Sequence, residues 1–350
     1  MATTSASNPT ASTREPLPVG LALQGGGAHG AFTWGVLDRL LEEPGLRIEG
    51  ISGTSAGAMN AAVLALGHAR GGAEGAQRAL EDFWRRVSRA ATFSPFRRTP
   101  LDMLSGRWTL DHSPLFIAFD LGARLISPYA LNPGGYNPLA DVLRESIDFD
   151  ELARTPIHLF VTATNVRTGR GRVFKNAEVT VDVLLASACL PTLFQAVMID
   201  GEPYWDGGYT GNPTITPLVR DCDSRDTILV QINPVEREGT PRHAREIQNR
   251  LNEISFNAPL LKELRMIALL HKVADAGDGE GAKWAGMRIH RIASEAMVAL
   301  GYSSKLNAEW AFFRMLRDEG RRAAQAFLAE QADALGKRSS LDLDELLKEV

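Results

Sequence analysis

The sequence predicts an α/β protein: a three-layer α/β/α arrangement around a mostly parallel sheet, with additional helices at the C-terminal end. Three observations carry this. The apolar run Val19-Gly20-Leu21-Ala22-Leu23 meets a glycine-rich loop and then a helical pattern over 31–43, closed by Pro44-Gly45. A second run, Leu46-Arg47-Ile48-Glu49-Gly50-Ile51, meets a serine-bearing turn and then the helix-forming stretch 58–66, bounded by Gly67. Further strand-like runs follow at 157–164 and 226–233. Strand, loop, helix repeated in this way is the start of a doubly wound sheet.

At 350 residues the chain can bury a large core, and its 44% hydrophobic and 23% charged residues are ordinary for a globular protein. A net charge of −4 argues against a broad nucleic-acid surface. The two cysteines, Cys189 and Cys222, exclude a disulfide framework and a cysteine-rich metal site. Residues 1–18, rich in Ala, Thr, Ser and Pro, read as a disordered lead-in without the apolar core of a secretory signal. No apolar run approaches the roughly 20 residues that cross a bilayer. A cytoplasmic protein that meets membrane only peripherally is the expectation.

The serine turn reads Gly53-Thr54-Ser55-Ala56-Gly57. A strand that turns sharply into a helix forces its serine into a strained, exposed position, and only small neighbours fit around it. The hydroxyl also sits at a helix N-terminus, where free amides favour developing negative charge. Ser55 is therefore a candidate nucleophile, against the alternative of an ordinary turn.

The glycine loop, Gly25-Gly26-Gly27-Ala28-His29-Gly30, formally satisfies Gly-x-Gly-x-x-Gly through Gly25, Gly27 and Gly30, which would suit a dinucleotide. That fingerprint also needs an acidic residue at the end of the next strand, and here that strand enters the Ser55 turn. The better reading is a run of bare amides, Gly25 to Gly27, aimed at an oxyanion. A purely structural turn is the third option.

The region 74–126 reads as mostly helical, with Phe83, Trp84, Trp108, Phe116 and Phe119 among several arginines. From 100 to 136 it is apolar and broken by Pro114, Pro128 and Pro133, a candidate lid or lipid-facing surface, with ordinary packing as the alternative. His158 reads as a core or edge histidine. A helix over 181–188 is stopped by Pro191. Asp200-Gly201 predicts a hairpin turn, and Asp206-Gly207-Gly208 ends the following strand on a tight turn. Asp206 is either a turn residue or the base for Ser55.

Beyond Pro234 the composition shifts to charged amphipathic helices over 243–275 and 305–336, with a candidate added strand at 287–292. The run 275–281 does not match a calcium loop and reads as a connector. The divisions expected are a catalytic domain at 19–235, a helical extension at 236–340 packed on it, and an acidic tail at 341–350.

The blocks around Gly25-Gly26-Gly27, Gly53-Thr54-Ser55-Ala56-Gly57 and Asp206-Gly207-Gly208, in this order, together with Ala186-Ser187-Ala188-Cys189-Leu190-Pro191, resemble the signatures of the patatin-like phospholipases. The resemblance implies a Ser55–Asp206 dyad, an oxyanion hole at Gly25, Gly26 and Gly27, and hydrolysis of lipid acyl esters through an acyl-serine. His29, Gly30, Gly53, Gly57, Gly207 and Gly208 would support the motifs. No cofactor or metal is implied, and the partner is the lipid ester itself. The family usually carries Arg or Lys where this chain has His29, which bears on head-group choice and on pH response. Other readings are an esterase for a polyhydroxyalkanoate or a thioester, or an idle lipid- or nucleotide-binding module. A Ser–Asp–His triad would need His243, which follows the last sheet strand but opens a charged helix.

Overall fold

In the computed structural model, which describes residues 15–92, 94, 96–273 and 279–348, the described strands form one eight-stranded sheet. The strands are β1 (Leu17–Leu23), β2 (Leu46–Gly53), β3 (His158–Asn165), β4 (Gly171–Lys175), β5 (Val197–Ile199), β6 (Glu202–Asp206), β7 (Asp226–Val230) and β8 (Arg288–Ile292). Their order is β5-β6-β3-β2-β1-β7-β8, with β4 also paired to β3. β3, β2, β1, β7 and β8 are mutually parallel.

Period-two alternation divides the strands between two cores. Leu21, Leu23, Ile228 and Val230 point into one, and Ala22, Phe160, Leu229 and Ile289 into the other. The first core is covered by α1 (Gly30–Leu40) and α2 (Ala56–Ala90), the second by the helix Ala244–Val273 and its neighbours. The three-layer α/β/α expectation therefore holds. Gly67, expected to end α2, lies inside it, and the chain doubles back instead at Gly71-Gly72, whose backbones leave the helical region.

The residues after Pro234 are more than a helical extension, because β8 completes the sheet edge beside β7. Asp226 on β7 is fully buried and accepts hydrogen bonds from Arg288 and His290 of β8 and from the Gly336 amide. The helix Trp310–Gln331 packs on α1 at backbone contact, and Asp38 of α1 is held by Arg317 and Arg321. In the tail, Leu343 is buried in the second core. Of the expected lead-in 1–18, positions 1–14 lie outside the described residues, as do connector positions 275–278, while Leu17 and Pro18 already belong to β1.

Of the insertion's prolines, Pro100, Pro114 and Pro128 start helices rather than break them, and Pro133 lies in a turn. Pro100–Leu104, Pro114–Leu125 and Pro128–Leu131 each carry proline in the first helical turn, where its missing N–H costs nothing.

Candidate active site

Register brings the site together. β4 occupies one edge of β3 from Phe160 to Thr164. The other edge is shared: β2 pairs along it from His158 to Val161, and β6 takes over, antiparallel, from Ala163 to Asn165. β6 thus runs towards the end of β2. Its last residue, Asp206, stops opposite Ala163, just beyond the Val161 that pairs with Gly53. Ser55 follows Gly53 into the same space. Two residues 151 positions apart in sequence meet because two strands share one edge of a third.

Ser55 has φ 55° and ψ −123°, a conformation that a non-glycine residue holds only under constraint, at a cost of order 1–3 kcal/mol. The constraints are visible. The Ser55 amide donates to Ser187 Oγ at 2.8 Å, and Thr54 Oγ1 donates to the Gly211 carbonyl at 2.6 Å. A Cβ on Gly57 would lie 2.2 Å from the Leu23 carbonyl oxygen, so only glycine lets α2 start against the end of β1. Gly53 is the buried last residue of β2, and Gly30 opens α1.

Asp206 is buried, with Oδ1 accepting from the Gly208 amide at 2.7 Å across the short turn Gly207–Tyr209. Its own amide donates to the Cys189 carbonyl, and its carbonyl accepts from Thr164 Oγ1. Burial raises its carboxyl pKa to about 7, opposed by the Gly208 amide, the positive charge of Lys305 and the Ser55 hydroxyl beside it. The carboxylate can therefore lose and regain a proton near neutral pH, as a general base requires.

The glycine loop lies directly over the serine. A Cβ on Gly25 would fall 2.8 Å from Ser55 Cβ. Its three amides are not equivalent. Gly25 N–H is already committed to Asn212 Oδ1 at 2.7 Å, which removes it from the expected oxyanion donors. The Gly26 and Gly27 amides have no hydrogen-bond partner among the described residues. The loop is held from behind: Asn233 Nδ2 donates to the Gly25 carbonyl at 2.7 Å, and Gln24 Oε1 accepts from the Ile232 and Asn233 amides.

His29 is buried, with Nε2 2.8 Å from Ser304 Oγ. Burial first, and then the charges of Lys305 and Arg237, push its pKa well below the ordinary histidine value, so it stands neutral. His243 is exposed at the start of its helix and does not line the pocket, and His158 is exposed at the start of β3. Neither lines the pocket with Ser55 and Asp206.

Three participants, Asn212, Asn233 and Lys305, had no motif to announce them, and Ser187, inside the Ala186–Pro191 block, had been given no role. Asn212, Asn233 and Ser187 hold the loop and the turn, and Lys305 enters the pocket from the C-terminal region. Ser187 and Asn233 sit at element ends, Ser187 as the last residue of its helix and Asn233 just past β7. A buried polar residue beside a strand end was the available signal for Asn233. The pocket is otherwise apolar, lined by Met59, Trp84, Leu190, Leu193, Phe194 and Phe313 among others. Among the described residues, no group of three or more His, Cys, Asp or Glu could hold a metal ion, and no helix is long and apolar enough to cross a membrane.

No curated protein matches the sequence. Among solved structures the chain is similar to VipD from Legionella pneumophila, at 17% identity and a TM-score of 0.35 over 89% of this chain and 67% of that one, too loose a likeness to carry weight. The sequence model of the patatin-like phospholipases matches residues 21–219, more than half of the chain and the whole stretch from the glycine loop to Asp206. The chain belongs to the patatin-like phospholipase family.

Proposed function

We propose that the protein is a serine acyl hydrolase that cleaves fatty-acyl esters of phospholipids or related lipids. The observation that carries this is the strained Ser55 beside the buried Asp206, under a glycine loop with two open amides, at the wall of an apolar pocket. Asp206 accepts the Ser55 proton as Oγ attacks the ester carbonyl, and the carbonyl electron pair moves onto oxygen. The Gly26 and Gly27 amides hold that oxygen. The tetrahedral adduct collapses, the alcohol leaves with the proton from Asp206, and an acyl-serine remains. Water then gives its proton to Asp206 and attacks. The second collapse returns the proton to Ser55 and frees the fatty acid.

The lipid assignment draws on two features. The pocket wall is apolar, which suits an acyl chain. The 100–136 insertion leaves Leu101, Leu104, Leu115, Leu121 and Leu125 exposed, apolar side chains within one 25-residue stretch that a lipid surface could cover. The insertion is tied to the pocket wall, since Gln195 Nε2 donates to the Asn132 carbonyl and the Ala196 amide to the Tyr129 hydroxyl. We take it as the surface that meets lipid, with the protein attaching peripherally from the cytoplasm.

Fatty-acid release from phospholipid vesicles by wild type, Ser55→Ala and Asp206→Asn is the test. Both substitutions should lower the rate by at least about 10³-fold. Release by wild type should rise as pH climbs through about 7, where Asp206 becomes ionised. Unchanged release by Ser55→Ala would end the proposal. Activity of wild type on a short nitrophenyl ester alone would keep the chemistry and remove the lipid.

A further inference from the structure

The catalytic pocket contains one cation that neither the motifs nor the family match accounts for. Lys305 belongs to the short helical turn Tyr302–Leu306, far beyond the matched residues 21–219. It lines the same pocket as Ser55, Asp206 and the glycine loop. Its Nζ donates to Asn233 Oδ1 at 2.7 Å, and through Asn233 Nδ2 it connects to the Gly25 carbonyl. An ammonium has three donors, and no other hydrogen-bond partner for Lys305 is found among the described residues. Two donors thus remain for a ligand, in an apolar pocket where an ion–anion contact is worth far more than in water.

The neighbouring charges are few. Asp206 and Glu253 attract the ammonium, and Arg237, itself paired with Glu253, repels it. His29 is the nearby histidine, and it is neutral. So the position in the glycine loop that could have carried a cation does not, and the next residue to the serine that holds His29 does.

We propose that Lys305 is the anion-holding residue of this pocket, its ammonium binding the negative oxygen that forms when Ser55 attacks an ester and the carboxylate of the acid that is released. This rests on the acyl-hydrolase reading and adds to it. When the Ser55 proton passes to Asp206, one negative charge leaves the carboxylate and one appears on the carbonyl oxygen. With Lys305 present, the pocket is neutral before and after that transfer, and no net charge is ever left without a counter-ion in an apolar site. Burial lowers the Lys305 pKa to about 8, against the pull of Glu253 and Asp206 and with the push of Arg237, so the ammonium is lost at mildly alkaline pH.

Two measurements test this, one without turnover. In a Ser55→Ala background, calorimetric titration at pH 7 compares decanoate with decanol, before and after Lys305→Met. Decanoate should weaken at least about tenfold and decanol should stay within about twofold. Equal effects on both ligands, or none on decanoate, would overturn the proposal. The second measurement is the pH profile of nitrophenyl-ester hydrolysis with Ser55 intact. Wild type should fall off above about 8, as Lys305 deprotonates. Lys305→Met should lose that limb and lower kcat by about 10²-fold, the scale of one oxyanion donor. Lys305→Arg, which keeps its charge, should move the limb upward and retain decanoate binding. This variant also serves if the methionine protein does not fold. An alkaline limb unmoved in either variant would refute the assignment. Charge-selective binding with no hydrolysis by wild type would sustain the anion site and reject the hydrolase reading instead.

Discussion

At the scale of single residues, the site holds groups in states that folding alone would not choose. Ser55 keeps a positive φ, and Asp206 is buried with one backbone amide as its hydrogen-bond donor. The carboxyl loses its proton near its ordinary value when unfolded but only near 7 when folded, chiefly because burial disfavours the charge. Between those values the unfolded chain carries fewer protons. Stability therefore falls as pH rises through that window, and the full penalty is present above about 7. Asp206→Asn keeps an oxygen for the Gly208 amide and removes the charge. It should melt several degrees above wild type at pH 8, with the difference vanishing near pH 4, while it abolishes catalysis. Calorimetric scans at both values check this, and a melting difference independent of pH would contradict the account. The residues that resisted reading from sequence are of the same kind. Asn212 and Lys305 act through hydrogen bonds across 187 and 72 positions of chain, and no local spacing encodes such a bond.

At the scale of elements, the docking of the helix Trp310–Gln331 on α1 shows how the C-terminal region is bound to the sheet. The two helices touch backbone to backbone. A Cβ on Gly35 would stand 1.9 Å from the Arg317 carbonyl oxygen, and one on Gly320 would stand 2.0 Å from that of Phe32. Arg317 and Arg321 then reach Asp38, and the Arg317 guanidinium lies 5.2 Å over the Trp34 ring. Gly320→Ala must force the helices apart and should cost of order 1–3 kcal/mol, as overpacked interiors do. Gly122→Ala, in the exposed insertion where nothing stands within 4 Å, should be neutral or gain up to about 1 kcal/mol from helix propensity. Urea midpoints of the two variants decide, and equal shifts would show that the crossing is not tight. The first βαβ segments were legible because their signals are local: apolar runs, glycine punctuation and a serine turn within fifty residues. Gly67 misled for the same reason. A glycine inside a helix looks like an end, whereas here it admits the Gly75 backbone of the returning arm.

At the scale of the whole molecule, three distant regions converge on one pocket. The glycine loop and serine turn come from the first sixty residues, Asp206 from a β-hairpin, and Lys305 from a segment after the sheet has closed with β8. The sequence marked 100–136 as apolar but could not say whether that surface is buried, because burial depends on what packs against it. The fold leaves much of it bare: Leu104 is 87% exposed and Leu125 84%. The insertion is held to the fold through Arg98 just before it, bound to Glu309, and through the Leu110 amide and Thr109 hydroxyl, which meet Ser303. The proposed function sets these bare leucines against lipid, as a shelf whose insertion is tied to the pocket wall through Asn132 and Tyr129. Each leucine that enters the acyl region contributes about 1.5–3 kcal/mol. Leu104→Gln with Leu125→Gln should then lower vesicle association in a flotation assay at least tenfold, and fatty-acid release from vesicles with it. Hydrolysis of a soluble short-chain nitrophenyl ester should stay at the wild-type rate, since neither side chain lines the pocket. Equal losses on vesicles and on the soluble ester would mean that the leucines support the fold of the pocket wall, and the shelf would have to be given up as the lipid-facing surface.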